Sequence, residues 1–433
     1  MKDRLPEEEE KIIPKDPELI KKVEEICGDK HPFKHIQAMD YPRMAGTPEN
    51  DRATDYITTV FKDFGFDPEV EQFYLPEPSK IPKLVLPILL IGWGIFSFYN
   101  VLFISGIWGY IFGFFILLLP VIAFLVILKL EVLFKKMITG NFDKIVNLTK
   151  QIEEGTYKKP VKKGKNIYVE YVPEEYEKHL YITAHHDSTT LKLNMKFMKI
   201  FMLIGFLSGI GYVLSYLVHY LLLIFSKFNL FGKYTIIFFI LLIIFLISIG
   251  LVLFSRIFRT NESHGAIDNL TGTSIILELA NIVKLVKPKL KITFIVFAAE
   301  EVGLFGSAYH FNIHKKYFET HQMHVVSIDM IGEIPPLTLV DKIKPALSIP
   351  MHPEFNKQMV ELAQKLGIEI KLGRFLYPGS DFANWLLNGY PANWLVNASK
   401  YLHSPQDVPK NVNQDLLIEC LKLFTAYFLT KNQ

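Results

Sequence analysis

The sequence is poor in cysteine: Cys27 and Cys420 are the only two among 433 residues. Two thiols cannot build a disulfide framework or a thiolate zinc site, so any metal must be held by His, Asp and Glu, and the low usage fits a reducing compartment. Charge of one sign is also lacking. The 47 Lys and Arg nearly balance the 44 Asp and Glu, leaving +3, so there is no overall basic field and nucleic acid is set aside as a partner. The N-terminus, Met1 to Arg4 followed by Glu7 to Glu10, lacks the apolar core of a cleaved signal peptide and reads as a solvated polar segment, residues 1–19.

What the chain has in quantity is apolar surface. Half of its residues are hydrophobic and its mean hydropathy is +0.23, with the excess concentrated in three uncharged runs: Leu84–Leu128 (45 residues), Ile200–Ser226 (27) and Tyr234–Ser255 (22). A bilayer-spanning helix needs about 20 apolar residues. The first run holds two spans turning near Ser105-Gly106 and the others one each, which predicts four transmembrane helices as two hairpins, 82–131 and 198–256. His219 is the only ionisable group inside them; it lies toward the far end of its span, where interfacial solvation accounts for it. Outside the three runs remain 339 residues, enough for one large soluble domain assembled from 20–79, 137–196 and 257–433. Hairpins return the chain to one side of the bilayer. Ten Lys and Arg residues, from Lys80 to Arg259, flank them on that side, against Lys227 and Lys233 in the turns, which predicts an integral membrane protein with its soluble domain in the cytoplasm.

The soluble segments read as α/β: a mixed, largely parallel sheet flanked by helices. Asn166–Val172, His179–Ala184, Lys291–Ala299 and His324–Ile328 are short β-rich runs, the later ones almost continuously apolar, as in a sheet covered on both faces. Ala53–Phe64, Asn269–Val286 and Asn413–Leu429 read as helices, the last with an apolar stripe from Leu416 to Phe428. The strand ends carry the chemistry. HLYITA runs into His185-His186-Asp187, KITFIVFAA into Glu300-Glu301 and HVVSI into Asp329, and strand carboxyl ends line the ligand crevice of open α/β sheets. With Asp268 in GAIDNLTG and His403 in YLHSPQD, the set is able to hold two divalent ions. Residues i and i+2 of an extended segment share a face, so Asp187 is placed to accept the second ring N–H of His185, while His186 points the other way. Glu300 and Glu301 diverge, so that one can bind metal while the other faces substrate as a base; Gly303 and Gly306 permit the turn that follows. His310 and His314 are spaced i,i+4 without a third ligand in the sequence and read as a surface face.

This ordered set resembles peptidase family M28, the co-catalytic zinc aminopeptidases. The motifs are His185-x-Asp187, Asp268 in its GA-x-DN context, the Glu300-Glu301 pair in F-x-x-EE-x-GL-x-GS, Asp329, His403, and the opening segment from Arg43 to Ala53 with Gly65 after its helix. The resemblance implies a zinc aminopeptidase-like fold with the membrane hairpins inserted. It further implies two zinc ions, for which cobalt or manganese can substitute, one held by His185 and Asp329, the other by Glu301 and His403, with Asp268 bridging. Glu300 is the implied general base and Asp187 supports His185; Tyr377, in FLYPGSDF beside Asp381, is an oxyanion donor placed by position alone. The implied activity is removal of N-terminal residues from peptides near the membrane, with peptides and the lipid bilayer as partners. A single-zinc acyltransferase resembling glutaminyl cyclases and a non-catalytic membrane scaffold of peptidase descent are the alternatives, and the oligomeric state is open.

Overall fold

The computed structural model describes residues 13–76, 92, 94–96, 111, 135–136, 138–193, 195–224, 231–257, 259–343, 349–375 and 378–432. Its centre is a nine-stranded mixed sheet in the order β1-β2-β6-β3-β7-β11-β8-β10, with β9 paired to β8. The strands are β1 Glu69–Tyr74, β2 Lys163–Tyr171, β3 His179–His185, β6 Lys291–Phe297, β7 Met323–Asp329, β8 Leu337–Ile343, β9 Ile349–Pro350, β10 Ile370–Phe375 and β11 Ala392–Val396. The four central strands β6, β3, β7 and β11 run parallel; β1 and β2 add one antiparallel edge and β8 turns antiparallel to β11.

The expected strands are present as β2, β3, β6 and β7. Every residue of β3 and β6 is buried, the reason their sequences show no alternation: helices cover both faces. One side is packed by the helices Thr271–Val286 and Gln414–Leu429 in the main core, the other by an aromatic cluster around Phe311, Phe318, Trp385 and Trp394. The helix expected from Ala53 starts earlier, at Pro48, because Thr47 caps it by accepting from the Asn50 amide at 3.3 Å and Pro48 stands in the first turn, where its missing N–H costs nothing.

Three described helices are long and apolar enough to cross a membrane: Lys196–Val218, Ile236–Ser255 and Ala266–Val286. The third is 83% buried within the protein, whereas the first two are 22% buried, so the third spends its apolar surface on the sheet and the other two leave theirs outward. These two belong to the helices Met195–Ile224 and Phe231–Ile257, which lie antiparallel. Gly205 faces Ile249, Gly209 faces Phe245 and Gly211 faces Leu241, the small-residue close approach that apolar helices use in lipid. Apart from the few residues given above, the first expected hairpin, 82–131, lies outside the described residues. The outward helices leave the domain through a second, two-stranded sheet: β4 Thr190–Leu191 precedes them and β5 Arg259–Thr260 follows.

Candidate metal centre

The carboxyl ends of β3, β6 and β7 lie side by side, and each delivers a donor there. His185 ends β3 next to Phe297, the last residue of β6, and three residues on stand Glu300 and Glu301. Asp329 ends β7 next to Val396 of β11, and the loop after β11 brings in His403. Asp268 enters from the segment before the Thr271–Val286 helix. That entry requires Gly265, whose φ is +54° and whose added Cβ would stand 2.5 Å from the Asp268 carbonyl oxygen and 2.6 Å from Ser188 Cβ. Gly306 serves differently from the turn expected of it: a Cβ there would stand 2.2 Å from the Ala298 carbonyl oxygen, so it allows a helix to pass against the end of β6. Ala299, Met330 and His403 all have φ between +53° and +62°. Each adjoins or is a site residue, and such backbone costs about 1–3 kcal/mol per residue, which surrounding packing must offset.

The donors form two groups joined by one carboxylate. His185 Nε2 lies 3.3 Å from Asp268 Oδ1, 3.5 Å from Asp329 Oδ1 and 3.9 Å from Glu300 Oε2. His403 Nε2 lies 2.9 Å from Glu301 Oε2 and 3.2 Å from Asp268 Oδ2. Asp268 thus faces one histidine with each oxygen. Ligands 2.0–2.2 Å from a tetrahedral zinc stand about 3.3–3.6 Å apart, and most of these separations fall near that edge length. His185 Nε2 and Asp329 Oδ1 are buried and have no hydrogen-bond partner, as does Glu301 Oε1. Orphaned donors converging at ligand spacing fit a cation, since burying them unpaired is otherwise costly.

Charge tells the same story. Burial pushes the Glu300 carboxyl well above its usual range, His185 pulls the other way, and Glu301, Asp381 and Asp329 push it up further. Burial opposes charge on His403, yet Glu301 and Asp268 raise it to about 10. Burial, opposed by His185, lifts Asp381 to about 8. A set of carboxylates this short of positive charge is a site built to receive one.

Supporting contacts partly follow the expectation. His185 Nδ1 is 3.1 Å from the Asp187 main-chain oxygen and 3.6 Å from Asp187 Oδ1, while the Asp187 carboxylate accepts from the Glu300 and Glu301 amides at 3.1 and 3.2 Å. Asp187 therefore ties the His185 strand to the glutamate pair. His186 points away, buried against Asn50 and the Lys165 carbonyl. Tyr377 lies outside the described residues. His310 is buried rather than on a surface face, and the absent third group is Glu71: His310 Nδ1 and His314 Nε2 each stand 2.8 Å from its carboxylate.

Two supports went unread in the sequence. Asp407, four residues after His403, accepts from the Ile267 amide at 2.6 Å and the Asp268 amide at 3.1 Å; burial raises it to about 7. The fully buried Arg43 guanidinium donates to the carbonyls of Met39, Tyr41, His186, His264 and Gly265, binding the opening segment to the loops that carry His185 and Asp268. Asp407 had a signal in its nearness to His403; Arg43 sat within the quoted motif without any sign of its partners. A cleft of about 890 Å³ opens at the opposite ends of the same strands, beside His179, Met323 and His324, and none of its lining side chains is among the orphaned donors.

This fold is that of the solved zinc aminopeptidases. The aminopeptidase from Aneurinibacillus sp. strain AM-1 superimposes with a TM-score of 0.54 at 13% identity, covering 95% of this chain and 96% of that one. BSAP, a zinc aminopeptidase from Bacillus subtilis, gives 0.51 at 14% identity over 92% and 93%. Residues 252–428 match the model of peptidase family M28, a stretch that carries Asp268, Glu300, Glu301, Asp329 and His403, while His185, Asp187 and the opening segment from Arg43 lie before it. Aminopeptidase YwaD of Bacillus subtilis (strain 168) is 44% identical over 71 residues, and a probable zinc metalloprotease of Pyrenophora tritici-repentis (strain Pt-1C-BFP) is 26% identical over 181. These matches cover 16% and 34% of this chain, and the chain spans 15% and 37% of the length of those two relatives.

Proposed function

We propose that the chain is a membrane-anchored metallo-aminopeptidase that removes N-terminal residues from peptides, with its site on the cytoplasmic face. The observation that carries this is the Asp268 carboxylate, divided between His185 at 3.3 Å and His403 at 3.2 Å, as a ligand shared by two ions is. His185 and Asp329 would hold one zinc, Glu301 and His403 the other. Bound there, such ions polarise a peptide carbonyl and make water a better acid near neutral pH.

The chain's own groups do the rest. Glu300, pushed above its ordinary range by burial, is matched to take a proton from the attacking water and return it to the departing amine. Asp187 holds the Glu300 main chain by its amide, so that the carboxyl stays aimed at the cage. The two outward helices begin eight residues after Asp187 and end two residues before Arg259, which supports a site beside the bilayer and a preference for apolar peptides.

Purified protein should hold near two zinc equivalents and hydrolyse aminoacyl chromogenic substrates, with Glu300→Ala about 10²–10⁴-fold slower. Hydrolysis that survives that change removes Glu300 as the base, and a single equivalent favours the acyltransferase reading. Protease accessibility of the soluble domain in sealed vesicles checks its side.

A further inference from the structure

The base of the outward hairpin is woven into one half of the metal centre. Thr190 pairs with Thr260 and Leu191 with Arg259 in the small sheet. Below it, the Leu193 amide donates to Ser255 Oγ at 2.8 Å, and Leu191 packs with Met198 and Val252 of the two helices. From the same sheet two contacts reach the centre. The Leu191 amide donates to the His403 carbonyl at 2.9 Å. The Arg259 guanidinium donates to the Glu301 carbonyl through Nη1, which also stands 3.6 Å from Glu301 Oε2. Glu301 and His403 are the two donors that accompany Asp268 in one group.

The other group has different supports. His185 is fixed by the β3–β6 ladder, and its carbonyl accepts from Thr273 Oγ1 at 2.9 Å; Asp329 is fixed by β7 against β11. Among the described residues, no hydrogen bond or ion pair links either of them to the hairpin helices or to β5.

We infer that the hairpin is a structural part of the Glu301–His403 half of the centre, with Arg259 as the positioning residue. Occupancy of that half then depends on the hairpin, while the His185–Asp329 half keeps its ion without it. This rests on the two-ion reading above. Arg259 suits the task because a planar guanidinium can hold a main-chain carbonyl and a neighbouring carboxylate oxygen together, which a lysine ammonium does with less geometric control. Outer partners that orient a metal ligand commonly matter by about 10–100-fold in metal affinity.

The test is zinc titration of the full-length protein in lipid nanodiscs, comparing the parent with Arg259→Gln, Arg259→Lys, Ser255→Ala and, as the opposite case, Asp329→Ala. The parent should take two equivalents. Arg259→Gln should keep one at parental affinity and bind the other about 10–100-fold more weakly, with Arg259→Lys between the two and the melting temperature of the zinc-loaded protein nearly unchanged at saturating zinc. Ser255→Ala should weaken the same equivalent to a smaller degree, and Asp329→Ala the other one. Two equivalents at parental affinity in both Arg259→Gln and Ser255→Ala overturn the inference and leave the two-ion reading standing; equal loss of both equivalents overturns the division into halves. A parent that binds fewer than two overturns the reading on which it rests.

Discussion

Glu71, His310 and His314 bring two imidazoles and a carboxylate within 4.8 Å of one another, as do Asp268, Glu301 and His403 with one imidazole and two carboxylates. The residue types are the same, but the atoms facing inward are not in the same condition. Glu71 accepts from His310 Nδ1 and His314 Nε2 at 2.8 Å each and from Asn166 Nδ2 at 3.2 Å, so each atom turned toward its carboxylate is paired; the buried, unpartnered His310 Nε2 is on the other side of its ring. In the strand-end centre, His185 Nε2 and Asp329 Oδ1 stand 3.5 Å apart, both buried and both without a hydrogen bond. The carboxyls respond accordingly. Burial works against charge on Glu71, yet the two histidines hold it at about 2, whereas burial and neighbouring carboxylates drive Glu300 up. Convergence of metal-type residues is therefore weak evidence of a metal; convergence with the facing donors unsatisfied is strong. The Glu71 trio reads as a latch joining the edge strand β1 to the helix Phe305–Ile313.

The largest effect that can break this comparison belongs to Asp268, the one residue shared by both halves. Asp268→Ala should empty both positions and reduce hydrolysis well beyond the about 10–100-fold typical of losing an outer partner, read as zinc content and turnover on the same sample. Retention of two tightly bound ions would remove Asp268 as the bridge. Asp407→Ala comes next. The Asp407 carboxylate accepts from the Ile267 and Asp268 amides, so its loss should loosen both ions by about 10–100-fold while leaving residual activity that excess zinc restores.

How much of this was legible beforehand depended on how local the signal is. Strands β3, β6 and β7 were readable because central parallel strands are largely apolar, and His185, Glu300, Glu301 and Asp329 because they stand at or just after the ends of such strands, whereas Asp268 and His403 were read from their local motifs. The edge strand β1 (EVEQFY) exposes Glu69 and Val70, and β10 (IKLGRF) is nowhere fully buried, so neither carries the burial pattern that marks a strand. The helix expected at Asn269–Val286 is apolar enough to match the two outward ones in hydropathy, and its 83% burial against their 22% makes it a core helix. What the sequence withheld are contacts made at long range by ordinary residues. Arg43 meets Gly265 across 222 positions and Glu71 meets His310 across 239, and no spacing rule reaches that far. Asp187 was assigned to the right neighbourhood, but its carboxylate went to the glutamate amides because a main-chain oxygen was nearer to His185.

The smallest effects come from the latch and sharpen the contrast from its other side. Glu71→Gln should leave zinc content and turnover at parental values, since the Glu71 carboxylate is bonded to Asn166, His310 and His314 and belongs to a separate group, while lowering stability by about 1–3 kcal/mol, the cost of leaving buried donors poorly paired. The dependence on pH fixes the sign. Glu71 is held at about 2 in the folded chain from an ordinary 4.5, so its contribution is present above 4.5 and lost as the pH falls from there toward 2, to a total of about 3 kcal/mol. His310 acts in the same sense: burial, ahead of the opposing pull of Glu71, lowers its affinity for a proton, so the unfolded chain takes up a proton on acidification before the folded one does. Melting temperatures of parent and Glu71→Gln should therefore differ most near neutrality and converge between pH 4.5 and 2. A gap that stays constant across that range would mean that the carboxylate contributes by shape alone, and the trio would no longer be a latch that depends on the charge of Glu71.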